Sequence, residues 1–561
     1  MDRSKTKVAV VGGGPAGMAA LKELRELGFD VTLFERRKDV GGIWTWTEDR
    51  SITTALKETQ LCNSKFGVCS ASAFRDWRTG YANTERKVGL ERFPNIRRWA
   101  CDSSQSRSNY PPYLTAPQMG SYLRSYAKEF GLYKNIEFGK TVTRFEKSAG
   151  TAKWKLTFAD EPDAPKSFDK IVWATGGFLE PKSVAFEGQD QFAGRILHSQ
   201  DVRNLEDFKG QNVMVLGIGN TAGDITISLV HHANKVYLSH RRGTKIFKRS
   251  GADGLPTDIF LTPTVCAIMW WIEAHLPSLF GKIMDITIDS NFKENWGENK
   301  AAWGLAQSPS TGDGVHIIVC NDDLIPLIKE GKVTSTQGIK RILGPKRVEM
   351  DDGLVIDDVD AITTCVGYYD DMGMLSDALT FVDAPGEAAP LPNLYMGIFP
   401  LEHSDSVAII SNVHLNGPQI PGRELAAMAV AQIWAGNSSL PSKPSMDTWV
   451  RKHQEWLGKR IARAHGLHRG EVPSIQWMYF VHDAAGTALY DNIGWSWKAW
   501  KLWWSDRELY KALAHGPATS HGFRLFETGK RAVWKDARQA VLDVNAEVKR
   551  LKEAAGKKKK D

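Results

Sequence analysis

The sequence predicts an α/β fold: two Rossmann-like dinucleotide-binding domains, the second inserted in the first, with a helical C-terminal cover. Two observations carry this. Two glycine-rich loops, Gly12-Gly13-Gly14-Pro15-Ala16-Gly17 and Gly217-Ile218-Gly219-Asn220-Thr221-Ala222, each join an apolar strand to a helix. Two other apolar strands, 171–177 and 360–368, end in small residues and flank the second unit, as expected where the chain leaves a domain and returns to it.

The elements follow in order. Residues 8–11 read as the first strand, 18–27 as its helix and 31–34 as the next strand, which ends in Glu35. Gly41-Gly42-Ile43-Trp44 comes next, then an irregular stretch to about Pro117 that is too long for a plain connection and reads as functional. Helical spacing returns at 119–130, and strand patterns at 136–138, 141–146, 154–158 and 171–177. The second unit starts near Asn212, and its second strand, 236–239, runs into His240-Arg241-Arg242. A Trp-rich segment, 250–315, interrupts it before strands at 315–319 and 333–336. Asp351-Asp352-Gly353 turns a hairpin between 348–350 and 354–356. Segment 360–368 repeats the pattern of 171–177 and is assigned to the first domain. A helix opens at Pro418-Gln419-Ile420-Pro421-Gly422 and runs to 433, followed by a tryptophan-rich helical region. The expected domains are therefore 1–178 and 336–440 for the first, 200–335 for the second with its insertion at 250–315, and 441–561 for the cover with its basic tail.

The glycine loops name their ligands through chemistry. In such a unit the first glycine makes the tight turn and the second lets the backbone approach a pyrophosphate. The third position must be small, so that helix and strand close on each other. Gly17 and Ala222 both meet that condition. Free amides and the positive helix end then hold the phosphates. Glu35 stands about twenty residues on, where an acid accepts hydrogen bonds from a ribose diol, as FAD or NAD requires. Arg241 and Arg242 hold the matching place in the second unit. An acid there would repel a 2′-phosphate, whereas a guanidinium pairs with it through two hydrogen bonds. The first site reads as FAD and the second as NADPH, which makes this an NADP domain inserted in an FAD domain.

Composition narrows the function further. The 561 residues carry 42% hydrophobic and 24% charged side chains, an ordinary globular balance. Much of the net charge of +7 sits in the tail Lys557-Lys558-Lys559-Lys560, so nucleic-acid binding is not expected. The most apolar run, Val265-Cys266-Ala267-Ile268-Met269-Trp270-Trp271-Ile272, soon meets Glu273 and is too short to span a membrane. The first strand begins so near Met1 that no signal peptide is expected. Six cysteines include no C-x-x-C pair and no zinc spacing, so neither a metal nor a disulfide reductase is expected, and the cytoplasm is the natural compartment.

Taken in order, the motifs resemble the flavin-containing monooxygenases. Phe34-Glu35-Arg36-Arg37 through Gly41-Gly42-Ile43-Trp44 is similar to the family's acid-to-GGxW segment, and Phe192-Ala193-Gly194-Arg195-Ile196-Leu197-His198-Ser199 to most of its F-x-G-x-x-x-H-x-x-x-[FY] signature. Gly217 through Asp224 resembles the family's NADP loop, and Arg241-Arg242-Gly243 its phosphate site. Pro392-Asn393-Leu394-Tyr395, Ile398-Phe399-Pro400, Gly516-Pro517 and Phe523-Arg524-Leu525 also look like family landmarks. Two positions depart. The signature ends in Val202, and Cys62 stands where most members carry Asn, with Asn63 one residue later.

The resemblance implies hydride transfer from NADPH to FAD, a C4a-hydroperoxyflavin formed with dioxygen, and oxygenation of a small-molecule substrate at nitrogen or sulfur. It implies hydrogen bonding by Asn63 or Cys62 near the flavin, and cofactor contacts from Gly42, Ile43, Trp44 and Gln419. Asn220, Thr221 and Asp224 would seat NADP, and His198 would fix the domain connection or be a buried, satisfied histidine. Two other activities stay open: Baeyer–Villiger oxygenation of a ketone, and an NADPH oxidase releasing hydrogen peroxide. The first favours an aromatic followed by Pro or Asp near position 202, which Val202-Arg203 does not match. A homodimer is left open.

Overall fold

Strand Lys7–Val11 carries four consecutive apolar residues, all buried, and can satisfy both faces only at the middle of a covered sheet. The computed structural model places it there. The model describes residues 2–52, 113–251, 254–307, 318–369, 372–382, 390–415, 419–463 and 468–558. The first sheet is parallel, ordered Val407–Ile409, Lys170–Trp173, Lys7–Val11, Asp30–Glu35, Ile136–Phe138. Alternation sorts its side chains. Val8 and Val10 join the core under helices Pro15–Glu26 and Gln419–Trp434, while Ala9 and Val11 meet Phe145, Trp154 and Phe158 of an antiparallel ribbon, Val142–Lys147, Trp154–Phe158 and Glu161–Phe168.

The second sheet repeats the plan, ordered Val333–Thr336, Lys235–Ser239, Asn212–Leu216, Ala361–Thr364, Arg195–His198, again parallel. Val213 and Val215 pack under helix Asn220–Leu229, and Met214 meets the hairpin residues Ile342, Val348 and Ile356.

This corrects the assignment of 360–368. Ala361–Thr364 pairs with Asn212–Leu216, Val213 opposite Ala361, so it belongs to the second sheet, and Arg195–His198 joins it outside the expected 200–335 span. The likeness to 171–177 is real but marks equivalence, not membership. Each strand lies beside its own glycine strand and ends against its own glycine turn. The crossings lie further out, where Glu180–Pro181 and Tyr368–Tyr369 pair as a short antiparallel ribbon.

The Trp-rich insertion forms two helices, Pro263–His275 and Pro277–Trp296, each with proline in its first turn. Of the strand expected at 315–319, the described part is Val319–Cys320, which pairs with Ile246–Phe247. The C-terminal cover comprises helices Lys443–Arg463, Ser474–Ala485, Trp497–Ser505, Arg507–His515 and Ala537–Lys558. It is tied to the first nucleotide helix by buried charge. Lys22 pairs with Glu26 at 2.6 Å, and Arg524 of the cover bonds Glu23. Burial alone would raise the Glu23 carboxyl, but Arg524, Lys22 and Arg531 hold it at about 2. No helix among the described residues is long and apolar enough to cross a membrane.

Candidate nucleotide and substrate sites

The first loop is shaped by atoms that leave no room for side chains. Gly12 adopts φ +107° and donates its N–H to Phe34 O at 2.8 Å, and a Cβ there would lie 2.6 Å from Ala174 O. A Cβ at Gly17 would lie 1.8 Å from Gly12 O, so the helix rests directly on the turn. Gly14 caps that helix, Pro15 opens it and Ala16 is buried. Glu35 is 3% exposed; its two carboxylate oxygens accept Gly13 N at 2.5 Å and Arg37 N at 2.8 Å. Each oxygen keeps a second lone pair for a ribose hydroxyl. Gly41 N reaches back to Gly13 O at 2.9 Å, and Gly42–Trp44 forms one tight turn with Gly42 packed against Gly14. Ile43 and Trp44 are half-buried in that turn. Gln419 opens helix Gln419–Trp434 and donates to Leu415 O at 2.8 Å.

The second loop reproduces the geometry. Gly217 has φ +123°, donates to Ser239 O at 2.8 Å, and its missing Cβ would lie 2.6 Å from Cys365 O. Gly219 caps the helix and Ala222 is fully buried. At the sugar end the two sites diverge. His240 is buried with Nε2 2.9 Å from Ser335 Oγ, and burial pushes its pKa down to about 4, so it is uncharged near neutrality. Arg241 and Arg242 are exposed. A Cβ on Gly338 would lie 2.4 Å from Arg241 Cγ, so that glycine gives the arginine stem its path.

The structure separates the remaining expected residues. Thr221 is exposed in the helix's first turn, but Asn220 Oδ1 accepts Cys320 N at 2.9 Å, and Asp224 lies buried 3.9 Å from the buried Arg249. Asn220 and Asp224 thus brace the segments that flank the insertion. Cys62, Asn63 and Pro418 lie outside the described residues. His198 accepts Gln200 N on Nδ1 at 3.1 Å, which leaves Nε2–H to donate to Gly367 O at 3.1 Å on the crossing segment. Burial lowers its pKa.

Two features escaped the sequence reading. Val202 is 4% exposed and packs with Phe208 and Val213 in the second core, so its departure from the family signature is a packing matter. Its neighbour Arg203 donates to the carbonyls of Thr47, Asp49 and Ile52 at 3.4, 3.1 and 2.7 Å, and Gln200 donates to Arg50 O at 3.2 Å. The second unit thereby holds the segment that follows Trp44. The other feature is an apolar cavity between helix Pro263–His275, the first turns of Gln419–Trp434, and helix Ser474–Ala485. Trp270, Leu425, Met478, His482, Tyr490 and Phe523 are among its walls.

Comparison with known proteins agrees with this architecture. The model of the flavin-binding monooxygenase-like family matches residues 99–560, and that of an NAD(P)-binding Rossmann-like domain matches 10–56. The latter covers the first cradle, whose diphosphate turn is common to NAD(P) and FAD sites. The chain is 32% identical to monooxygenase aurF of Gibberella zeae over 553 residues, covering 96% of this chain and 97% of that one. It is 28% identical to a rabbit (Oryctolagus cuniculus) dimethylaniline monooxygenase, N-oxide-forming, over 96% of this chain and 87% of the relative. Its fold is similar to that of S-allyl-L-cysteine S-oxygenase from Allium sativum, with TM-score 0.56 at 18% identity, covering 90% and 94% of the two chains. The chain belongs to the flavin-binding monooxygenase-like family, and is an enzyme that works with FAD and NADP(H).

Proposed function

We propose that this enzyme uses NADPH and FAD to add one oxygen atom of dioxygen to nitrogen or sulfur of a small organic substrate, through a C4a-hydroperoxyflavin. One observation carries the reading: two glycine cradles of the same geometry end in opposite sugar-facing chemistry, Glu35 in one and Arg241-Arg242 in the other. Gly12, Gly13, Gly14, Pro15, Ala16, Gly17 and Glu35 hold the FAD diphosphate and ribose. Gly217, Gly219, Thr221 and Ala222 form the NADP cradle, with Arg241 and Arg242 on the 2′-phosphate. Bound FAD supplies hydride acceptance and oxygen activation.

The chain's own residues position and shield that chemistry. Gly42, Ile43 and Trp44 close over the first loop, Arg203 pins the segment beyond them, and Gln419 presents a helix N-terminus to the flavin ring. Hydrogen bonding near its reactive edge is assigned to Asn63 or Cys62. The apolar cavity excludes water, which would otherwise divert oxygen to hydrogen peroxide. Oxygenation at nitrogen or sulfur is supported by the name of the rabbit relative and by Val202-Arg203, which does not fit the Baeyer–Villiger pattern. Cysteines scattered without close pairs suit a cytoplasmic enzyme.

The test is stopped-flow absorbance of the NADPH-reduced enzyme mixed with oxygenated buffer, with peroxide assayed in parallel. The expected result is a transient near roughly 370 nm that persists for many seconds and decays faster with a thioether or tertiary amine. Immediate return of oxidised flavin with stoichiometric peroxide would establish the oxidase instead. Faster decay with ketones alone would establish Baeyer–Villiger chemistry.

A further inference from the structure

Helix Trp497–Ser505 is apolar on two sides. Ala499 is buried and Leu502 packs against the main core, so the inner side is satisfied. Trp497, Trp500 and Trp504 recur at i, i+3 and i+7 and share the outer face. They are 81%, 49% and 84% exposed, and Trp495, its ring centroid 6.4 Å from that of Trp500, is 89% exposed. Single exposed apolar residues are ordinary on protein surfaces, but four tryptophans together are not. The face is also held in place. Ser496 Oγ accepts Ala499 N at 3.0 Å where the helix starts. Where it ends, Asp506 accepts Leu509 N at 3.1 Å and pairs with Arg538 of the last helix at 2.6 Å.

The chemistry of the face selects what covers it. An indole buries a broad ring and keeps one N–H for water or a headgroup, which suits the boundary between lipid tails and water. Lys498 and Lys501 stand exposed beside the rings, and no Asp or Glu occurs from Trp495 to Ser505. The flanking acids are engaged: Asp491 meets Lys498 at 2.9 Å, and Asp506 holds Arg538. Lysine stems lie along apolar surface while their ammonium groups reach anionic headgroups. Area argues against a second copy of this chain. At about 200 Å² per indole, the four rings expose on the order of 600 Å². A stable dimer needs about 800 Å² from each partner.

We infer that this helix docks the enzyme on the surface of an anionic phospholipid bilayer, its outer tryptophans at the headgroup boundary and its lysines against the lipid charges. Nine residues of helix reach about 13 Å, against a hydrocarbon core of about 30 Å, so the helix lies in the interface and does not cross it. None of these residues belongs to a nucleotide cradle, so the docking stands whichever substrate atom is oxygenated.

The test is co-sedimentation of the flavin-loaded enzyme with vesicles, read from flavin absorbance in the pellet. Vesicles of phosphatidylcholine and phosphatidylserine in equal parts are expected to bind it at least about tenfold more tightly than phosphatidylcholine alone. Replacing Trp497, Trp500 and Trp504 with serine together should weaken binding about 100-fold or more. Lys498→Gln with Lys501→Gln should weaken binding to the mixed vesicles about 10- to 30-fold and leave phosphatidylcholine alone unaffected. Ile286→Ser, at an apolar side chain 67% exposed on another helix, should change nothing. Flavin content and melting temperature are expected to stay at wild-type values throughout, because every substituted side chain is exposed. Should the triple variant not fold, Trp497→Ser and Trp504→Ser decide singly, each with a loss of about fivefold. Absence of vesicle binding overturns the inference, as does binding that survives the tryptophan substitutions. A concentration-dependent dimer in sedimentation velocity, removed by those substitutions and unaccompanied by vesicle binding, would assign the face to a second copy and overturn it equally.

Discussion

The two nucleotide loops are the same device finished in two ways. Gly12 and Gly217 share a left-handed backbone, the same amide-to-strand hydrogen bond, and the same close approach to a carbonyl of the adjacent strand, Ala174 O or Cys365 O. The third small position differs: Gly17 lies where any Cβ would strike Gly12 O, while the second loop accepts Ala222. The sugar ends differ more. Glu35 is buried and fixed by two backbone amides, whereas Arg241 and Arg242 stand in solvent beside a neutral His240. A rigid, buried acid suits a cofactor that stays in place, and exposed guanidiniums suit a coenzyme that enters from solution.

The largest expected effect tests the tighter loop. Gly17→Ala should cost about 3 kcal/mol, because the Cβ meets backbone that cannot yield. Purified protein should show most of its flavin absorbance lost and a lowered melting temperature. Full flavin retention would mean the loops are less alike than their geometry implies. Next comes the sugar end. Replacing Arg241 and Arg242 with alanine together should raise KM for NADPH about 30- to 100-fold, a loss of about 2–3 kcal/mol, with NADH little affected and flavin content unchanged.

Acid should act on the buried histidines. Burial holds His240 at about 4 and His482 at about 3, below the free value of 6.5. The unfolded chain therefore binds these protons first as pH falls. The stability carried by each neutral ring is complete above pH 6.5 and is lost as pH falls from there toward the folded values. Between neutrality and pH 5 each ring should cost about 2 kcal/mol, read from urea melts, with His240→Gln removing its share. The smallest effect closes the series: Ala222→Gly should cost about 1 kcal/mol in helix stability without displacing coenzyme.

Sequence reading succeeded where local chemistry repeats. The glycine turns, the strands before and after them and the helices they open all sit in short segments whose spacing sets the local backbone. It failed where partners are distant in sequence. Ala361–Thr364 was placed in the wrong sheet because its pattern records a position beside a glycine strand, and pairing with Asn212–Leu216 is what chooses the sheet. Val202 stands out in the sequence as a departure from a motif, and its side chain packs in the core. Arg203 carried no signal, since its partners lie about 150 residues away.

The most direct test of the paired-cradle account is calorimetric titration of the flavin-loaded enzyme with 2′,5′-ADP and with 5′-ADP. The account predicts that the 2′-phosphate tightens binding by about 100-fold, and that the Arg241→Ala/Arg242→Ala protein loses this preference while keeping its flavin. Equal binding of the two nucleotides, or a preference that survives the double substitution, would contradict it.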